Sequence, residues 1–170
     1  MKITVMAGRG EGNTTLSAFD TALKAAGMHN YNIIILSSVI PPESDVVVKK
    51  WKNSPAEHGK KLYTVLAEKR TDLLGRTVSA GIAWYQTKDG RGVFAEHTDM
   101  IENLNTKEAE LNVVNKLEAT IKDLCVNRNY KFDKRNFKLL ITSAEVKNKP
   151  TCALVAAVYE SQAFDTHPQL

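Results

Sequence analysis

The spacing of apolar and polar residues changes several times along the chain and divides it into short strands and two helices. A β-branched run over residues 3–7 predicts a first strand, and the glycines of Gly8-Arg9-Gly10-Glu11-Gly12 predict a flexible turn after it. Asn13 or Thr14 can cap the helix that follows, with Gly27 as its stop. Leu16, Phe19, Leu23 and Ala26 recur at helical spacing and predict its buried stripe. Strands are expected over residues 31–39, 46–50 and 62–69. A hairpin joins residues 77–86 to 93–97 through Lys88-Asp89-Gly90-Arg91-Gly92, where Asp-Gly is the turn signal. Residues 105–125 turn helical, with Leu111, Val114, Leu117, Ile121 and Leu124 on one face and a capping-box-like start at Asn105 and Glu108. Strands over 137–146 and 152–160 flank a turn at Asn148-Lys149-Pro150, and the tail from Thr166 to Leu170 is expected to be loose. With no internal repeat, low-complexity segment or linker, the pattern predicts a single α+β layered domain.

Composition narrows the function classes. At 170 residues and 43% hydrophobic, the chain can bury a sizeable core. Its formal net charge of +4 is spread thinly. The densest basic cluster, Lys131, Lys134, Arg135 and Lys138, reads as a solvated loop and strand edge, and with aromatics at only 7% of the chain no nucleic-acid partner is expected. No apolar run approaches the roughly 18 residues of a membrane span, and the apolar stretch at Met1 is too short for a secretion signal. These features predict a soluble cytoplasmic protein without a membrane partner. Cys125 and Cys152 read as small core residues in a reducing compartment. The histidines at 29, 58, 97 and 167 lack ligand spacing, so no metal is expected. The glycine run misses the dinucleotide fingerprint, its third glycine coming one residue early.

The chemistry concentrates where the apolar run Ile33-Ile34-Ile35-Leu36 meets Ser37-Ser38-Val39-Ile40-Pro41-Pro42. The run predicts a buried strand that the prolines halt. Two hydroxyls at a buried strand end must be hydrogen-bonded, either in a satisfied turn or as part of a reaction. If the strand is regular, Asn32 points to the same side as Ser38, and it either donates to a reacting carbonyl or closes the strand end. Asp20 falls at the edge of the first helix stripe, where it needs an internal salt bridge or a cationic ligand. Glu96 follows Val93-Phe94-Ala95 and is either an outward residue paired with a lysine or a functional acid.

Taken together, Ala18-Phe19-Asp20, Asn30-Tyr31-Asn32, Leu36-Ser37-Ser38-Val39-Ile40-Pro41-Pro42 and Gly92-Val93-Phe94-Ala95-Glu96 resemble the pyruvoyl-dependent arginine decarboxylases over most of the chain. The resemblance implies a four-layer αββα sandwich that assembles as a trimer with active sites between neighbours. It also implies a proenzyme that cuts itself between Ser37 and Ser38 into residues 1–37 and 38–170. In that scheme Ser38 becomes a covalently bound pyruvoyl group, which holds the α-amine of L-arginine as a Schiff base and releases CO2 and agmatine. Asn32 is the candidate donor to the oxyanion during processing. Glu96 is the proton donor, a role that calls for burial among Val93 and Phe94 so that it keeps its proton. Asp20 holds the guanidinium through a charge-assisted pair. Two alternatives stay open: the same machinery acting on another amino acid, and an uncleaved, non-catalytic binding or assembly subunit.

Overall fold

The computed structural model describes residues 1–164, so the expected loose tail lies outside the described residues. Its strands are β1 (Lys2–Glu11), β2 (Asn32–Ile35), β3 (Val39–Ile40), β4 (Asp45–Val48), β5 (Lys61–Thr71), β6 (Thr77–Gln86), β7 (Gly92–Ile101), β8 (Phe137–Glu145) and β9 (Thr151–Gln162). Helix α1 spans Thr15–Ala26 and α2 spans Thr106–Asn127. One sheet runs β2-β5-β9-β1-β4 and the other β3-β7-β6-β8. Both β6 and β9 lie inside their sheets and are buried on both faces, which is why their sequences read as continuous apolar runs.

Alternation along those strands builds the layers. Ala153, Val155 and Ala157 of β9 meet Val78, Ala80, Ile82 and Trp84 of β6 in a core between the sheets. The opposite face of β9, carrying Cys152, Leu154, Ala156 and Val158, packs under α1. The opposite face of β6 packs with Val113, Leu117, Ile121 and Cys125 of α2. The order of layers is therefore helix, sheet, sheet, helix, the α+β sandwich expected.

Three local expectations are corrected. The first strand continues through the glycines to Glu11, because α1 lies almost against the backbone of β1. A Cβ on Gly8 would stand 2.1 Å from the Ala22 carbonyl oxygen, and one on Gly10 2.3 Å from the Ala22 nitrogen. That spacing admits only small residues at the contact, so Ala18, Ala22 and Ala26 line it, with Leu23 buried beside them, while Leu16 is 68% exposed. Thr14 caps α1, its hydroxyl accepting from Ser17 N–H at 3.1 Å. In α2 the buried row is Ala109, Val113, Leu117, Ile121 and Cys125, seated at Gly81, whose missing Cβ would meet Val113 at 2.8 Å; Leu111 faces outward.

The third correction concerns residues 31–39, which do not form one buried strand. Asn32–Ile35 pairs with β5 as an edge strand of the first sheet, and Val39–Ile40 pairs with β7 at the edge of the second. Ile35 is 60% and Val39 51% exposed. Apolar composition marks a surface that needs cover, and an edge strand presents such a surface as readily as a core strand does.

Candidate active site

The chain changes sheets at Ser37 and Ser38. Leu36 N–H still donates to the Thr64 carbonyl of β5 at 2.9 Å, and two residues later the Ser38 carbonyl accepts from Phe94 N–H of β7 at 2.8 Å. The serines thus sit in a tight crossing pinned at both ends. Because β3 is only two residues long, facing Val93 and Gly92, it leaves Ala95 and Glu96 of β7 at an uncovered sheet edge. The Ser38 side chain turns into that gap. Its hydroxyl donates to the Glu96 carboxylate, lying 2.9 and 2.8 Å from the two oxygens.

Ser37, Ser38, Glu96, His97, Thr120 and Arg128 line one open cleft of about 630 Å³ between this edge and α2. His97 Nε2 and the Thr120 hydroxyl are hydrogen-bonded at 2.8 Å across it. Glu96 is exposed in the protomer rather than buried among Val93 and Phe94. The short β3 is the reason: Val93 and Phe94 are covered and fully buried, and cover ends one residue before Glu96.

The other expected residues lie elsewhere in the protomer. Asn32 begins β2, where its Nδ2 donates to the Gly59 carbonyl at 2.6 Å and its N–H to the Lys60 carbonyl at 2.8 Å. Its amide therefore closes a strand end, and the break at Ser37 takes it out of phase with Ser38. Asp20 is exposed on α1 and makes no ion pair among the described residues. Ser38 and Glu96 are brought together, and Asn32 and Asp20 are not joined to them.

Sequence reasoning passed over Tyr159, whose only signal is a phenol closing the apolar run of β9. Its hydroxyl donates to the Val39 carbonyl at 2.8 Å, and its ring meets Phe94 edge-on at a centroid distance of 6.1 Å. Burial, with the nearby Glu96 carboxylate adding to it, raises the phenol well above its ordinary pKa, so it stays a donor throughout the neutral range.

Comparison with known proteins gives a consistent result. Residues 2–164 match the model of the family described as pyruvoyl-dependent arginine decarboxylase. A protein of that name from Thermococcus sibiricus is 32% identical over 159 residues, covering 92% of this chain and 93% of the relative. One from Pyrococcus abyssi is 33% identical over the same shares. One from Picrophilus torridus is 33% identical over 98 residues, 56% of this chain and 54% of the relative.

Proposed function

The chain belongs to the pyruvoyl-dependent arginine decarboxylase family, and from that premise we propose that it cleaves itself at Ser37–Ser38 and converts L-arginine to agmatine and CO2 in the cytoplasm. The observation that carries the reading is the Ser38 hydroxyl held on the Glu96 carboxylate at the point where the chain crosses between sheets. In processing, Ser38 Oγ attacks the Ser37 carbonyl carbon. The bond from the Ser37 carbonyl carbon to the Ser38 nitrogen then breaks, the nitrogen leaves as an amine carrying the hydroxyl proton, and an ester remains. Loss of the Ser38 α-proton expels the Ser37 carboxylate, and one water hydrolyses the remaining enamine to a ketone with release of ammonia.

The residues present suit that group, since position 38 combines a pinned backbone with an acid beside its side chain. Once formed, the ketone would hold the substrate amine and draw off the electrons freed as CO2 leaves. Glu96 then holds the proton for the α-carbon, beside residue 38. Two lines support an assembled trimer with sites between subunits. Ile35 and Val39, on either side of the crossing, leave apolar side chains exposed, and such surface calls for cover. Asp20, which makes no ion pair among the described residues, is then placed to meet a guanidinium at a neighbour's site.

An intact mass measured after purification tests the central claim. Two chains ending and beginning at Ser37 and residue 38, the second lacking a free amine, are expected. A single unmodified chain after long incubation leaves only the uncleaved binding-subunit reading standing.

Asp20→Asn keeps size and removes the charge. Leaving a guanidinium without its counter-charge in a partly buried pocket costs roughly 2–5 kcal/mol of binding. Arginine KM should therefore rise steeply while cleavage and kcat at saturation persist. An unchanged KM for arginine, with lysine or ornithine turned over as well, would point to another amino acid as substrate.

A further inference from the structure

Among the described residues the Ser37 carbonyl accepts one hydrogen bond, from the N–H of Val39 two positions on, at 2.6 Å. A bond from residue i+2 back to i closes a γ-turn centred on Ser38. Glu43 and Asn129 are the only described non-glycine residues with positive φ, so this turn is of the inverse kind that suits strand ends. Alone it would be a weak local feature. Here it is clamped: Leu36 N–H is fixed on Thr64 before it, the Ser38 carbonyl on Phe94 N–H within it, and the Val39 carbonyl on the Tyr159 hydroxyl after it. Because Ser38 and Phe94 form the hydrogen-bonded pair of the ladder, Val39 and Val93 form the non-hydrogen-bonded one, and the Val39 N–H points away from β7. It is thereby free to bond back to Ser37, and the clamp holds it on the bond that is to be cut.

We infer that the backbone N–H of Val39 is the oxyanion donor for self-cleavage, with Tyr159 as the positioning residue that keeps the turn closed; this rests on the self-processing reading above. When Ser38 Oγ bonds to the Ser37 carbon, the carbonyl π electrons move onto the Ser37 oxygen. A donor already 2.6 Å from that oxygen meets the new charge without reorganisation, the condition under which such a group is most effective. As the Ser38 nitrogen departs with the proton of the hydroxyl, the carbonyl re-forms as the ester. The donor makes and loses no covalent bond. The Asn32 amide, bound to Gly59, acts on processing only through the strand that leads to Ser37.

The test replaces the amide between Ser38 and Val39 by an ester, using semisynthesis with 2-hydroxyisovaleric acid at position 39. The side chain stays and the N–H is lost. Cleavage should slow by about 10²–10³-fold, the usual effect of losing one such donor, with an unchanged circular dichroism spectrum. Val39→Pro removes the same N–H genetically and also biases Ser38 toward an extended conformation that opens the turn, so it should be slower still. Added hydroxylamine, which cuts esters rapidly, should not speed release of residues 1–37 from Val39→Pro, because the slowed step precedes the ester; a rapid hydroxylamine-dependent release of that fragment would overturn the assignment. Tyr159→Phe should slow cleavage less, and once cleaved should retain its affinity for agmatine. An ester variant that folds and cleaves at the wild-type rate overturns this inference alone, while a wild-type chain that never cleaves overturns the self-processing reading with it.

Discussion

Ser38→Ala should yield one uncleaved chain with no measurable decarboxylation, the largest effect expected of any single change. The substitution removes the attacking hydroxyl and the atom set from which the ketone is made, so nothing downstream can form. Folding should survive. Ser38 is only half-buried, its backbone bond to Phe94 N–H does not involve the side chain, and the lost contact is one hydroxyl on an exposed carboxylate. An intact mass of the full chain, together with absent CO2 release from labelled arginine, would bear this out. Adding arginine or raising the temperature should rescue neither. Cleavage at the same bond in the alanine variant would remove Ser38 from the chemistry and with it the origin proposed for the cofactor.

The layers of the fold were legible because core strands and helices announce themselves by period. Residues 77–86, 105–125 and 152–160 were placed nearly as they lie, since β6, α2 and β9 bury apolar faces whose spacing is set by their own geometry. The misses share a cause: spacing along one segment does not report how close the next segment comes. Gly8 and Gly10 looked like a turn and are a strand made thin for α1. The same close approach turned the small face of α1 inward and left Leu16 outside.

At the site, Ser38 and Glu96 were singled out through the family resemblance that their flanking residues carry, and they are the two expected residues that the structure brings together. The crossing between sheets was not. Asn32 loses its predicted phase with Ser38 only because Leu36 stays with β5 while Ser38 joins β7, a choice made by partners distant in sequence. Tyr159 is more distant still from the carbonyl it holds, joined to Val39 across the sandwich. The exposure of Glu96 follows likewise from the two-residue length of β3, which no pattern around Glu96 encodes.

Glu96→Gln should separate making the cofactor from using it. The amide oxygen of glutamine can still accept from the Ser38 hydroxyl, which now lies 2.8 and 2.9 Å from the carboxylate oxygens, so the side chain keeps its place and cleavage should continue. What disappears is an acid able to hold and deliver a proton to the substrate α-carbon. General acid–base roles are worth about 10²–10⁴ in rate, and kcat should fall within that range. Arginine KM should hold or drop, since the lost interaction acts after binding. Saturating arginine therefore restores the Asp20→Asn protein and leaves the Glu96→Gln protein slow. The measurement is steady-state turnover of each cleaved variant across arginine concentrations, with the extent of cleavage fixed beforehand by mass. Full turnover by a cleaved Glu96→Gln protein would move proton delivery to another group of the cleft, of which His97 of β7, hydrogen-bonded to Thr120 of α2, is the nearest in sequence.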